Sequence, residues 1–177
     1  MKIFDEYLPV LKGDLLGWTQ FQSNDEARIY YKMEDGLSCV TTYLETEVDA
    51  PLLNILSVIA EVDMFKEWAP ITPVSDVLKS LTDFKKLVYL KNELSWPFSH
   101  REIFFEGGAF ALLDDKSICL TLHSIKDATW FGHPITPTQE LVVTHVNKGV
   151  VNLCKLESGK CKLTLIVNID PHMDLVP

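Results

Sequence analysis

The chain has no apolar run approaching the about 18 residues that a membrane-crossing helix requires, which excludes a helical span. It has no surplus of positive charge. The 16 Lys and Arg are outnumbered by 25 Asp and Glu, giving a formal charge of −9 and a pI near 4.9. That balance excludes a nucleic-acid binder that tracks phosphates and disfavours standing attachment to anionic membranes. Cysteine is scarce: Cys39, Cys119, Cys154 and Cys161 lie far apart with no C-x-x-C pair, and Met1 to Glu6 carries no uninterrupted apolar stretch. A reduced, cytoplasmic protein is expected. Cys154 and Cys161 flank a predicted hairpin, and in a reducing compartment they read as small core residues. The histidines stand singly, with no H-x-x-x-H spacing, so neither a metal nor another cofactor is expected.

Catalytic signatures are absent as well. There is no G-x-S-x-G elbow, no G-x-x-x-x-G-K-[ST] loop and no G-x-G-x-x-G, and the acidic pairs Asp5-Glu6 and Asp114-Asp115 fall at the terminus and a predicted turn. The chain is therefore not expected to be an enzyme. Repeats, low-complexity tracts and linkers are also missing. The 177 residues read as one domain, 1–177, long enough to bury about 70% of the unfolded surface.

Periodicity supplies the elements. Ile3, Phe4, Tyr7, Leu8 and Leu11 recur at helical spacing up to Gly13, predicting a short amphipathic helix. From Ala27 the period becomes two, with Glu34-Asp35-Gly36 as a hairpin turn and Val40, Thr42, Leu44, Thr46 and Val48 on one face of the returning strand. Asp49 is a candidate N-cap and Pro51 a first-turn residue for a helix whose apolar stripe runs from Leu52 through Met64 to Trp68. Val74, Val77, Leu78 and Leu81 again sit at helical offsets and predict a helix. The rest reads as strands at 87–94, 102–113, 117–125, 140–146, 150–156 and 162–169, separated by turns that include Asn147-Lys148-Gly149 and Ser158-Gly159-Lys160. A largely antiparallel, curved sheet with packed helices follows, an α+β fold.

The most informative stretch is Trp96-Pro97-Phe98-Ser99-His100-Arg101-Glu102, leading into Ile103-Phe104-Phe105. An aromatic, a proline and a lone arginine open a long apolar strand with no nucleophile nearby, which points to a container. With the early Gly17-Trp18, the helix closing on Glu67-Trp68-Ala69-Pro70 and the terminal strand closing on Asp170-Pro171, the order resembles a START lipid-binding domain over nearly the whole chain. Trp68 precedes Arg101 by 33 residues, similar to the family's spacing. The resemblance implies a helix-grip fold, in which a curved antiparallel sheet wraps a long C-terminal helix and holds one lipid in an internal apolar tunnel.

Departures from the family pattern qualify what the resemblance implies. Glu102 stands where aspartate is usual, Thr144 where a second arginine is usual, and Gly107 where sterol binders place the arginine of an internal ion pair, opposite the apolar Val88, Tyr89 and Leu90. The family also continues beyond a proline such as Pro177 into the C-terminal helix, which this chain lacks. A 20-residue helix is ~30 Å long and ~10 Å wide, so its absence uncovers roughly 300 Å² of sheet, a patch large enough to matter. The chain is then a fragment, or a partner, dimer mate or swapped N-terminal helix covers the patch, or the groove stays open. A fragment is the first expectation.

The expected function is binding of a single lipid, such as a phospholipid or sterol, for intracellular transfer or sensing. The alternative is a protein-interaction module that holds a partner helix in the uncovered groove. Arg101 is the candidate head-group contact, with a salt bridge at the start of the strand as its structural alternative. Trp68 and Trp96 are candidate ligand contacts that on residue type alone read as core aromatics. Val88, Leu90, Ile103, Phe105, Leu120 and Leu122 are candidate tunnel residues because they alternate along the central strands. Trp130-Phe131-Gly132-His133-Pro134 reads as a loop folded over the core or, alternatively, a membrane-dipping tip for transient contact.

Overall fold

The computed structural model describes residues 2–36, 39–112, 116–170 and 172. Its sheet runs in the order β1 (Thr19–Ser23), β2 (Ala27–Met33), β3 (Val40–Val48), β12 (Cys161–Asp170), β11 (His145–Lys155), β7 (Ser117–Ser124), β6 (Arg101–Leu112), β5 (Lys85–Asn92), β4 (Val74–Thr82). Neighbours along this path are all antiparallel. β8 (Thr129–Trp130) and β9 (His133–Pro134) form a separate two-residue hairpin, and β10 (Val142–Val143) pairs with β6 in parallel. The last strand thus joins the first three to the rest. The expected turn at Asp114-Asp115 and the closing Pro171 and Pro177 lie outside the described residues.

Because side chains alternate along a strand, each strand serves two faces. One face carries α1 (Lys2–Leu11). Phe4, Tyr7 and Val10 of this helix close a core with Tyr43, Cys119, Val150 and Ile166, and Phe4 meets Phe110 edge-on at 5.1 Å. Several polar groups here are paired. Tyr7 donates to Glu34 at 2.8 Å, and Lys148 bridges Glu34 at 2.6 Å and Glu6 of the helix. Asn168 donates to the Cys39 carbonyl and Thr41 and accepts from Asn147.

The other face carries α2 (Leu52–Ala60), a 3-10 turn at Val62–Met64 and α3 (Phe65–Trp68). The continuous apolar stripe predicted one helix, whereas the structure breaks it at Glu61. Packing gives the reason: Ile55 serves a cluster with Leu120, Val151, Leu153 and Cys161, while Val62 serves a second with Val88, Ile103, Phe105 and Val146. The break lets the chain reach both, and Ser75 Oγ accepts from the Lys66 N–H as the last turn begins. The cap also differs from expectation. Pro51, not Asp49, is the N-cap, with no side-chain hydrogen bond.

Residues 74–82 form an edge strand rather than the predicted helix. Register shifts between Val77 and Lys79 and between Ser80 and Thr82 add residues at Leu78 and Leu81, and this throws the apolar positions out of period two. Asn147-Lys148-Gly149 is likewise no turn. β11 runs through it with a register shift between Val146 and Lys148. Gly149 eases a close approach there, because an added Cβ would stand 3.0 Å from Leu122 Cβ and 3.1 Å from its carbonyl oxygen.

Candidate functional site

Between α2, α3 and the sheet lies a partly open cavity of about 680 Å³. Its roof is Leu56, Ile59, Ala60, Val62 and Phe65, and its floor comes from β5, β6, β7, β11 and β12. The floor follows strand parity: Val88 on β5, Phe105 and Ala109 on β6, Leu120 and Leu122 on β7, Val151 on β11, Leu163 and Leu165 on β12. These are the residues between those that pack under α1. The sheet therefore walls most of the cavity with one set of side chains and anchors α1 with the other, with Phe110 touching both.

Charge enters at one end. Asp83 and Phe84 in the β4–β5 turn and Lys86 on β5 line the mouth. Lys86 is half-buried and two residues before Val88, hence on the same strand face. Its register partner on β6 is Gly107, which puts no side chain beside it.

Four of the nine sequence candidates, Val88, Phe105, Leu120 and Leu122, line the cavity. Ile103 and Leu90 have the expected parity but are packed against Val62, Val77, Phe65 and Val146, outside the lining. Trp68 is half-exposed and stacks edge-on against the lining residue Phe65 at 4.9 Å. Trp96 is 93% exposed, preceding Pro97 through a cis peptide bond.

Arg101 is placed away from the cavity lining. It is 3% exposed, and its guanidinium donates to the carbonyls of Ser99 at 2.6 Å and His172 at 3.1 Å. Glu102 is fully buried and accepts from the Thr138 N–H at 2.7 Å. Burial, followed by the charge and hydrogen bond of Glu102, pushes the Tyr89 phenol up. The two charged residues of the opening motif thus bind backbone that crosses the end of β6. Thr144 is buried beside this end, donating its N–H to the Glu102 carbonyl.

In the aromatic hairpin, Trp130 is buried and donates to Glu106 at 2.7 Å, while Phe131 is exposed under the Lys85 ammonium at 5.1 Å. The loop is thus folded back at Trp130 with one ring outside. The N-terminal helix occupies the face opposite the cavity and does not cover it. Sequence reasoning missed Lys86 and the helix residues of the roof, and it noted Gly107 only as an arginine position left empty. Continuing the alternation two residues back from Val88 identifies Lys86, whereas the roof depends on the break at Glu61.

Among the described residues, no group of three or more His, Cys, Asp or Glu side chains is placed to hold a metal, and no helix is long and apolar enough to cross a membrane. No family model matches the sequence, and no curated protein matches it significantly. Solved structures do match. Human STARD10 is similar over 97% of this chain and 68% of its own, with a TM-score of 0.83 at 15% identity. Human StAR-related lipid transfer protein 5 matches over 99% and 82%, with a TM-score of 0.82 at 13% identity. A StAR-related lipid transfer protein from Xanthomonas axonopodis matches over 91% and 85%, with a TM-score of 0.75 at 20% identity. The chain has the START helix-grip fold.

Proposed function

We propose that this protein binds a single lipid in the cavity under α2 and α3, for transfer or sensing. The observation that carries the reading is an apolar space of about 680 Å³ built from alternate residues of five strands. Its walls supply affinity without chemistry, since each methylene removed from water contributes about 0.8 kcal/mol and a tail of ~15 methylenes on the order of 12 kcal/mol before the costs of association. Three similar structures are named for lipid transfer or as a STARD protein, and those names support the same direction. Binding and release, rather than bond making, is the activity this wall composition suits.

The test is native mass spectrometry of the purified chain, followed by uptake of fluorescent lipids from vesicles by delipidated protein. Lipid mass on the protein, or saturable uptake of at least one class, is expected. A folded sample that takes up nothing across fatty acids, sterols, lysolipids and phospholipids would sink the proposal. If a stoichiometric protein partner is recovered instead, the groove holds a partner helix.

A further inference from the structure

Among the described residues, a single cation lines the cavity. Across the floor and roof, the charged residues are Asp83 and Lys86. Asp83 is solvent-exposed in the turn, where its field is screened; Lys86 is half-buried on the strand. The Lys86 ammonium makes no ion pair or hydrogen bond among the described residues, although Lys85 beside it pairs with Glu106 on the opposite face. The methylene stem of Lys86 lies along the apolar wall while its ammonium stays free to meet an anion, and Gly107 opposite leaves room for one. A Cβ at Gly107 would stand 3.8 Å from Phe105, ordinary contact, so the missing side chain is not demanded by packing.

Size narrows the tail. At about 30 Å³ for each water-sized group, a space of about 680 Å³ holds roughly 23 heavy atoms. One acyl chain with a small head fits that count, whereas a diacyl phospholipid has about twice as many atoms. Resting on the lipid-binding reading above, we propose that the ligand is a single-chain lipid with an oxyanion head. The head is held by Lys86 in the gap at Gly107, and the tail lies along Phe105, Leu120 and Leu165 under the roof.

The experiment uses the full chain, delipidated, with four probes: palmitate, monopalmitoylglycerol, lysophosphatidate of the same chain length, and diacyl phosphatidylcholine in vesicles. Palmitate or lysophosphatidate is expected to bind about tenfold tighter than the neutral glyceride, the low end for a charge-assisted hydrogen bond. Whichever of the two binds more tightly identifies the head as carboxylate or phosphate. Lys86→Met should erase the preference, bringing the two anionic probes and the glyceride to the same affinity, and Lys86→Arg should keep it. Circular dichroism of each variant guards against misfolding, and Gly107→Leu, which fills the gap from the other strand, provides a second route to the same loss. Equal binding of palmitate, lysophosphatidate and glyceride, or a preference that survives Lys86→Met, overturns the assignment of Lys86. Tighter binding of diacyl phosphatidylcholine overturns the single chain. Failure of all four probes to bind overturns the single-chain assignment, and the lipid reading itself falls only if sterols fail to bind as well.

Discussion

The two faces of the sheet are made by the same strands yet are organised in opposite ways. Under α1, Tyr43, Cys119, Val150 and Ile166 interlock, and the polar groups at the margin are joined through Glu34, Lys148 and Asn168. Under α2, the alternate residues leave an open volume and one cation without a partner among the described residues. The α1 face is one packed cluster, whereas the other face divides its residues between two packed clusters and the open volume. A fold that must admit and release a guest separates close packing from open volume, because a close-packed interior tolerates little change of volume.

Truncating the packed face should cost most. Ile166→Ala, at a fully buried position, is expected to lose about 2–5 kcal/mol in urea unfolding, and Leu165→Ala, one residue along and lining existing space, clearly less. Equal losses would break the comparison by showing the cavity face to be packed like the other. Next, Gly149→Ala should destabilise by about 1–3 kcal/mol, since its Cβ meets Leu122 on the cavity wall at 3.0 Å. The same substitution should alter lipid uptake, which Ile166→Ala in a refolded sample should not.

A smaller effect is expected at the margin of the α1 face. Burial alone would raise the Glu34 carboxyl, but hydrogen bonds from Lys148, Tyr7 and Thr41 and the charge of Lys148 outweigh it and hold the group below its ordinary 4.5. A carboxyl depressed in the folded state stabilises above its unfolded value and loses that contribution as pH falls through the folded value. Glu34→Gln should therefore cost about 1 kcal/mol near neutrality and flatten the loss of stability below about pH 4.5, measured by urea midpoints across pH. The least perturbing probe is chemical. Burial pushes the Cys119 thiol up to about 12, so native protein should leave Cys119 unalkylated at pH 8 until it unfolds, as read by peptide mass spectrometry.

Much of this organisation was legible in the sequence wherever alternation ran unbroken. Val88, Phe105, Leu120 and Leu122 were identified as cavity residues because their strands keep period two. Period two failed at Leu78 and Leu81, where bulges add residues to an edge strand, and at 147–149, where a register shift resembles a turn. The site was less legible because parity states which side a residue faces but not what fills that side. Leu90 and Ile103 share the parity of the lining and are closed off by Val62, Phe65 and Val146, contacts set by the break in the helix. Arg101 and Glu102 form a distinctive motif, and among their partners are backbone groups of Ser99, His172 and Thr138 that no spacing rule names.

The position of β12 between β3 and β11 has a consequence for synthesis. β3 pairs on its outer side with β2, and its inner partner is a strand whose register, from Thr41 opposite Asn168 to Val48 opposite Cys161, is completed far downstream. At about 5–20 residues per second, the roughly 120 residues between the ends of β3 and β12 take about 6–24 s to make. Throughout that interval the nascent β1–β3 ribbon displays an unpaired edge. Joining must wait for the last strand, so this protein should fold late, slowly and with a need for protection on the ribosome.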